Sequence, residues 1–476
     1  MNTSSNVRLS VSALTAIVIG SMVGGGIFSL PQNTAASASA GAMLIGWLVT
    51  GVGMLALAFV FQSLAVRKPE LDSGVYAYAK AGFGDYMGFS SAWGYWISAW
   101  IGNVSYFVLL FSSLGFFFPV FGEGNTLPAI IGASILLWLV HFLVLNGLRE
   151  AAFINAITTV AKIVPLILFI ILAAIGFKFD LFTADFWGAS NADQGSVLDQ
   201  VRNMMLVTVW VFIGIEGASV YSKRSGKRSD VGKATLFGFV SVLALLVLVN
   251  VLSYGIMAQA ELAGLKNPSM AGVLEQVVGP WGATLINIGL IVSLCGALLS
   301  WTLLCAETLY IPAGDGTMPS FLAKENRKEV PASALWISNG LIQLFLLITL
   351  FQANTYLQLF YLATSMILVP YLWSALYALV LAVRGETYSA TDPSRNKDLF
   401  IAAVAVIYAI WLLYAAGIQY LLLSAILYAP GAILFAMAKR ERNQKVFQPY
   451  ETAILVVVLI GAVIGVWGLY TGTLSL

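Results

Sequence analysis

Long apolar stretches separated by short polar segments fill most of this sequence. A hydropathy window of about 19 residues predicts thirteen membrane spans, near residues 9–30, 42–65, 88–118, 127–147, 153–177, 203–222, 234–258, 281–311, 332–352, 357–383, 399–416, 419–438 and 452–471. About 20 apolar residues are enough for a helix to cross the hydrocarbon core of a bilayer. The pattern therefore predicts an all-α polytopic membrane protein, in which only Gly417 and Ile418 separate the eleventh and twelfth spans.

Two of these spans are interrupted. The first contains three consecutive glycines in Gly20-Ser-Met-Val-Gly-Gly-Gly-Ile-Phe28, and the sixth contains the segment Gly214-Ile-Glu-Gly217. Interrupted helices in corresponding positions of two halves indicate the binding site of a secondary transporter near the bilayer midplane. Their separation of five spans predicts a five-plus-five inverted repeat over residues 1–385, followed by peripheral C-terminal helices over 386–476.

The glycine run predicts a role for the backbone itself. Amide N–H groups freed at Gly24, Gly25 and Gly26, where a half-helix starts, would attract an anion such as an α-carboxylate. Carbonyl groups near Ile213 and Gly214 would accept hydrogen bonds from an α-ammonium group. The alternative is that the glycines only permit close helix packing, as small residues do in membranes.

Glu216 is an acidic residue inside the apolar stretch from Met204 to Tyr221. A carboxylate at that depth costs several kcal/mol, so it needs a partner, a proton or an aqueous cavity. Because such residues are rare and commonly mark functional sites, we interpret Glu216 as functional. The alternative is a protonated structural carboxyl group that is hydrogen-bonded to a neighbouring helix.

Composition and charge agree with a membrane protein. With 59% hydrophobic and 10% charged residues, the chain has too few polar side chains to cover a soluble surface. A cytoplasmic N-terminus places 20 of the 24 lysines and arginines on the cytoplasmic side, and the odd number of spans then leaves the C-terminus outside. The sequence has no basic stripe for a nucleic acid partner, and Cys295 and Cys305 are too far apart along one helix to form a disulfide.

Other classes of membrane protein fit the sequence less well. An enzyme would need clustered acids, Ser/His pairs or His/Cys ligands, and one histidine with two remote cysteines supplies almost none of these. We therefore expect no cofactor and no metal. A channel would need a repeated filter run of carbonyls or charges, and the sequence contains no such run. A transporter-like amino acid sensor stays open as an alternative.

Four motifs carry a resemblance to a known family. They are Gly20-Ser-Met-Val-Gly-Gly-Gly-Ile-Phe28, Tyr95-Trp-Ile-Ser-Ala-Trp-Ile-Gly-Asn103, Trp210-Val-Phe-Ile-Gly-Ile-Glu-Gly-Ala218 and Trp301-Thr-Leu-Leu. Over roughly residues 9–440 the chain resembles the basic amino acid and polyamine antiporters of the amino acid, polyamine and organocation superfamily. Within that group it is similar to bacterial arginine/ornithine antiporters, on the segments Arg149-Glu-Ala-Ala-Phe-Ile-Asn155, Val209 to Ser219 and Lys227-Arg-Ser-Asp-Val-Gly-Lys233, and on the thirteenth span. The thirteenth span is a departure, because most of the superfamily has twelve.

The resemblance implies a LeuT-like fold and an exchanger of cationic amino acids in the bacterial inner membrane. Arginine inward and ornithine outward are the leading pair. The same fold would also suit an exchanger or proton-coupled permease for lysine, histidine/histamine or agmatine/putrescine, so these substrates stay open. The lipid bilayer is the surrounding partner, and a homodimer is a further expectation.

The resemblance also assigns residues to the site. Substrate binding is assigned to Ser21, Met22, Gly24, Gly25, Gly26, Ser98, Asn103, Trp210, Ile213 and Trp301. Gating is assigned to Tyr95, Glu216, Trp301 and Tyr371. Trp210 is expected to stack over the substrate's side chain and Asn103 to contact its distal end. Trp301 is expected in an aromatic layer on the cytoplasmic side, and Tyr95 in one on the outer side.

Lys162 is assigned to coupling. It lies about ten residues into the fifth predicted span, where even a long side chain hardly reaches the interface. Proton-coupled relatives have a lysine at a similar place between the first and fifth spans, and a fixed cation that binds carbonyl groups of the first span is an equal alternative. For Trp93, Trp96 and Trp100 we expect anchoring at the lipid interface, the default for tryptophan in membranes.

Overall fold

The fold consists of helices joined by short loops. A computed structural model describes residues 11–71, 73–147, 152–190, 194–216, 228–351, 355–389 and 391–474. The helices are α1 (Val11–Met22), α2 (Leu30–Ala35), α3 (Ala40–Arg67), α4 (Val75–Phe83), α5 (Asp85–Phe117), α6 (Leu127–Leu145), α7 (Ala152–Gly176), α8 (Phe179–Thr183), α9 (Val197–Trp210), α10 (Arg228–Tyr254), α11 (Gln259–Ala263), α12 (Ser269–Val278), α13 (Pro280–Gly314), α14 (Ala332–Ile348), α15 (Thr355–Arg384), α16 (Ser394–Tyr428), α17 (Gly431–Glu441) and α18 (Pro449–Thr471). These ranges contain no β-strand, in agreement with the predicted all-α class.

Each predicted span overlaps one or more of these helices within the described residues. Nine helical stretches among the described residues are long and apolar enough to cross a membrane. One of them, Ser394–Glu441, holds the eleventh and twelfth predicted spans, because Gly417 adopts a φ of 74° and interrupts the helix. The first and sixth spans are shorter because each is broken, and the described apolar part of the fifth is Val160–Gly176.

Helix α5 lies at the centre of the bundle and is buried along most of its length, against α4, α13, α14 and α15. Trp93 donates to the carbonyl oxygen of Leu427 at 3.0 Å, and Trp96 donates to Ser338 Oγ at 2.9 Å. Trp100 is buried as well. The expectation that these tryptophans anchor at the lipid interface is therefore wrong, because neighbouring helices enclose α5 and make them core residues.

Several charged residues meet at one end of the bundle, which we call the basic end. Lys80 on α4 lies 3.8 Å from Asp85 at the start of α5 and 3.9 Å from Asp315 just after α13. Lys439 on α17 forms an ion pair with Asp85 too. The start of α5 and the ends of α13 and α17 therefore share this end.

The C-terminal helices pack against the predicted transporter core. Helix α16 contacts α3, α9 and α15. A Cβ atom added to Gly53 on α3 would lie only 2.1 Å from the ring of Tyr408 on α16, so the two helices approach closely. The division of the chain at residue 385 stays a prediction.

Candidate functional site

The first predicted span breaks at its glycine run. Helix α1 ends at Met22, and Gly24 has extended backbone with φ −111° and ψ −164°. A 3-10 turn over Gly25–Ser29 follows and continues into α2. The first N–H groups of a helical segment have no acceptor within it, so the backbone from Gly25 onward presents donors at the break.

The sixth predicted span breaks after Trp210. Helix α9 ends there, and residues 211–216 form turns instead of α-helix. Gly214 adopts a φ of 105°, which residues with a side chain rarely adopt. Ile213 lies within these turns, and its N–H donates to the Trp210 carbonyl at 3.2 Å. The predicted break is present, while Gly217 lies outside the described residues.

The two breaks are in direct contact. A Cβ atom added to Gly26 would lie 2.6 Å from both Cδ1 and Nε1 of Trp210. One added to Gly24 would lie 3.0 Å from the hydroxyl oxygen of Tyr106, and one added to Gly25 would lie 2.8 Å from a side chain of α13. Because these distances leave little or no room for a side chain, the glycines permit close packing in addition to unwinding.

Trp210 belongs to an aromatic cluster that the sequence analysis missed. Its ring lies edge to face with Tyr106 of α5, at 6.0 Å between centroids, and with Phe360 of α15, at 5.2 Å. A Cβ atom on Gly102 would lie 3.2 Å from the indole. Tyr106 follows Gly102 by four residues and so shares its face of α5, which is a signal in the sequence. Nothing local in the sequence indicates Phe360.

Glu216 accepts hydrogen bonds from two tyrosines at the second break. Tyr95 of α5 donates to Oε1 at 2.6 Å, and Tyr371 of α15 donates to Oε2 at 2.8 Å. The N–H of Gly214 also donates to Oε2, at 3.3 Å. Donors from two other helices and from the backbone of the turn thus converge on this side chain. Glu216 therefore ties the broken span to two other helices.

The position of Tyr95 differs from the expectation. Helix α5 starts at Asp85 at the basic end, and Tyr95 lies ten residues further along it. Helix α13 ends at Gly314, also near the basic end, and Trp301 lies thirteen residues before that. Since both aromatic residues lie in the half of the bundle toward the basic end, the prediction that they occupy opposite sides is wrong.

Asn103 and Cys305 connect α5 to α13. Asn103 Nδ2 donates to Cys305 Sγ at 3.6 Å, and both residues are buried. Within the described ranges, neither Asn103 Oδ1 nor Thr302 Oγ1 has a hydrogen-bond partner. A buried unpaired polar atom costs about 1–3 kcal/mol, so both atoms are suited to bind a polar group of a substrate. Trp301, adjacent to Thr302, is partly exposed.

Lys162 of α7 contacts the broken first span. Its Nζ donates at 2.7 Å to the carbonyl oxygen of Gly20, which belongs to the last turn of α1, where carbonyl groups lack helical partners. Ser21 and Met22 follow directly; Met22 is buried, as is Ser98 on α5. The contact agrees with a fixed cation that binds first-span carbonyls, and a coupling role stays a prediction. Cys295 and Cys305 are both free thiols, in agreement with the prediction that they form no disulfide.

Comparisons with known proteins cover nearly the whole chain. The sequence profile of the amino acid permease family matches residues 9–462. The chain is 65% identical to an arginine/ornithine antiporter of Pseudomonas aeruginosa over 100% of both chains. It is 49% identical to an L-lysine transport protein of Corynebacterium glutamicum, over 98% of this chain and 96% of that one. It is 43% identical to an arginine/agmatine antiporter of Chlamydia caviae, over 97% and 96%.

Proposed function

The chain belongs to the amino acid permease family, and from this premise we propose that it is a secondary antiporter that takes up arginine in exchange for ornithine. The arginine/ornithine antiporter at 65% identity supports this pair. The relatives named for lysine and for agmatine support the wider class of cationic amino acids and their amines. The protein is a transporter and not an enzyme.

The contact between the two helix breaks carries this proposal. The backbone that starts at Gly25 and the α9 end at Trp210 meet inside the bundle. Facing helix breaks are the arrangement with which secondary transporters bind small solutes. The substrate therefore binds between the two breaks, where it contacts both halves of the repeat.

The main chain recognises the part that all amino acids share. The N–H groups of the turn that starts at Gly25 bind the α-carboxylate. The carbonyl groups of the turns around Ile213 accept hydrogen bonds from the α-ammonium group. These contacts do not discriminate between side chains, so discrimination falls to the residues around the substrate's tail.

Aromatic and polar side chains recognise the cationic tail. Trp210 and Trp301 offer indole faces to a guanidinium or ammonium group, an interaction of ~2 kcal/mol or roughly 30-fold in affinity. Asn103 Oδ1 and Thr302 Oγ1, which lack partners within the described part of the chain, accept hydrogen bonds from the tail. A neutral apolar tail would leave both acceptors unpaired, which increases the discrimination.

Glu216, Tyr95 and Tyr371 act as a gate toward the basic end. Their hydrogen bonds hold the second break to α5 and α15, and the bias of basic residues supports a cytoplasmic position for this end. Opening toward the cytoplasm separates the tyrosines from the carboxylate. Substrate shifts this equilibrium only by the difference between its affinities for the open and the closed arrangement. Because the two tyrosines occupy the carboxyl group of Glu216, this residue acts on the conformational change and does not bind substrate.

Exchange of one cation for another moves no net charge, so the two concentration gradients are sufficient to drive it. Lys162 either takes part in proton coupling or holds the first span in place.

The protein acts in the bacterial inner membrane with its N-terminus in the cytoplasm and its C-terminus outside. We also propose that the protein forms a homodimer, which the mass of the purified protein in nanodiscs would test.

Counterflow into proteoliposomes tests the function. Vesicles that contain the full chain are preloaded with ornithine, lysine, agmatine, histamine or buffer, and the uptake of labelled arginine is measured. Ornithine-loaded vesicles should take up arginine fastest, and buffer-loaded vesicles should take up almost none. A faster rate with another amine would reassign the pair, uptake into empty vesicles driven by a pH gradient would indicate a permease, and arginine binding without exchange would indicate a sensor.

A further inference from the structure

A groove opens on the outside of the bundle between α17 and α18. Its volume is about 1110 Å³, and apart from Arg440 its lining is apolar or aromatic. Ile433 and Met437 on α17 form one wall, and Val463 and Trp467 on α18 form the other. All four side chains are exposed. In a membrane this surface faces the lipid.

The groove arises because the chain bends between α16 and α17. Before the bend, α16 packs tightly on α18, since a Cβ atom on Gly465 would lie 2.9 Å from Ile426. Helix α16 ends at Tyr428, and Pro430, which has no N–H to continue a helix, precedes α17. Phe435 then packs against rings at the start of α5, including Tyr86 at 5.2 Å. Helix α17 is therefore held at α5, and the space beside α18 stays open.

One cation lies in the groove, at the end of α17. Its neighbours are engaged elsewhere: Lys439 contacts Asp85 and Gln444, and Arg442 donates to two backbone carbonyls at the end of α13, those of Gly314 and Asp315. Arg440 is exposed and has neither a hydrogen-bond acceptor nor an ion-pair partner in the part of the chain that the structure describes. Its guanidinium group is thus available to an anion outside the bundle.

We propose that this groove binds an anionic phospholipid, with the phosphate at Arg440 and the acyl chains between α17 and α18. A basic residue near the membrane surface attracts anionic headgroups, and the apolar walls continue from it into the membrane. The α18 lining runs from Leu455 to Tyr470, roughly 22 Å at 1.5 Å per residue. This exceeds the ~15 Å half-thickness of the hydrocarbon core, so whole acyl chains fit. Trp467 and Tyr470 lie at the far end, as is typical of aromatic residues near an interface.

Lipid binding would give the thirteenth span, helix α18, a structural function that does not depend on substrate. The lipid fills the space that the bend leaves and joins α18 to the rest of the bundle on the side where α17 diverges. A second copy of this chain would be the other candidate occupant. The single cation favours a lipid, because a symmetric contact between two copies would bring two Arg440 side chains near each other without a compensating acid in the groove lining.

Lipid retention tests the proposal. The full chain is reconstituted in nanodiscs of phosphatidylcholine with a fixed fraction of phosphatidylglycerol, and the lipids retained after detergent extraction are counted by native mass spectrometry. Arg440→Gln should lower the retained phosphatidylglycerol about fivefold, the effect of one basic residue at an anionic surface. Lys445→Gln is the matched control, because it removes the same charge just after α17 but outside the groove. It should retain phosphatidylglycerol like the wild type.

A second variant tests the groove without a change in charge. Ala436→Trp places a large ring in the groove and should also reduce the retained lipid; if it does not fold, Val463→Trp on the opposite wall replaces it. Equal losses in Arg440→Gln and Lys445→Gln would overturn the proposal in favour of diffuse attraction to the membrane. Full retention in the groove-filling variant, or efficient cross-linking of two copies through Val463→Cys, would overturn it as well.

Discussion

Gly26 and Trp210 approach each other so closely that a single added carbon would overlap the indole. A Cβ atom on Gly26 would lie 2.6 Å from two ring atoms of Trp210. The two residues are 184 positions apart in sequence and lie at the breaks of two different spans. Their contact therefore depends on the absence of a side chain at position 26, and it joins the two breaks that enclose the proposed substrate site.

Gly26→Ala is expected to displace the Trp210 ring, since overpacking of this kind typically costs about 1–3 kcal/mol. Exchange should fall by about tenfold or more, while membrane insertion and monodispersity stay normal. Gly20→Ala is the control in the same span, because its added Cβ atom would meet nothing within 4 Å. The rate of arginine/ornithine counterflow is the measurement, and equal rates in the two variants would contradict the importance of the contact.

Glu216→Gln is expected to slow exchange by an order of magnitude or more while substrate affinity changes little. Hydrogen bonds to a charged acceptor contribute about 1.5–3 kcal/mol, against about 0.5–1.5 kcal/mol for neutral ones, and the variant weakens the bonds from both tyrosines. Tyr371→Phe, which removes one of the two phenol donors, should have a smaller effect. Counterflow and equilibrium binding of labelled arginine separate rate from affinity, and a wild-type exchange rate in Glu216→Gln would make this carboxylate structural.

Trp210→Ala or Trp301→Ala is expected to weaken transport of cationic substrates by roughly one to two orders of magnitude, on the scale of a desolvated cation–π interaction. Trp281→Ala, in the same helix as Trp301 but exposed at its other end, serves as the control. The measurement is the substrate concentration for half-maximal exchange. A change below about threefold in both variants is too small for that interaction and would remove these residues from substrate recognition.

Lys162→Ala is expected to abolish any pH dependence of transport and to leave arginine binding nearly intact, if this lysine releases and rebinds a proton. Exchange is measured across a series of pH values in the wild type and the variant. Lys178→Ala, which removes an exposed cation just after α7, controls for the loss of charge. If the pH profile of Lys162→Ala matches that of the wild type, the role of the residue is purely structural, and the contact with the Gly20 carbonyl is part of that role.

The count of thirteen spans predicts that the C-terminus lies outside the cell. A reporter fused after Leu476 should be active only if it works outside the cell, whereas one fused after Lys445 should report the cytoplasm. Deletion of residues 446–476 should reduce abundance more than the exchange rate per molecule, because it removes the buried Glu451, which accepts a hydrogen bond from the Tyr86 N–H at 3.2 Å. A cytoplasmic C-terminus would refute the thirteen-span count.

Much of the architecture follows from local features of the sequence. Hydropathy locates the spans because the bilayer imposes a fixed apolar length on each helix. The glycine run and Gly214 locate the two breaks, because an uninterrupted helix does not require such residues there. Glu216 is identifiable for a similar reason: burial of a carboxyl group in an apolar stretch is energetically unfavourable, so the group is expected to have hydrogen-bonding or ionic partners. The sequence does not reveal which residues those partners are.

The sequence by itself determined the all-α membrane-spanning class, the approximate positions of the long apolar helices, the places where two of them break, and the resemblance to cationic amino acid antiporters. Only the tertiary structure decided which apolar surfaces face protein and which face lipid. Lipid tails and protein interiors are similarly apolar, so composition did not distinguish the core residues Trp93, Trp96 and Trp100 from interface anchors. The side of Tyr95, the contact of Phe360 with Trp210, and the groove beside α18 depend likewise on how distant helices pack, which no local pattern encodes.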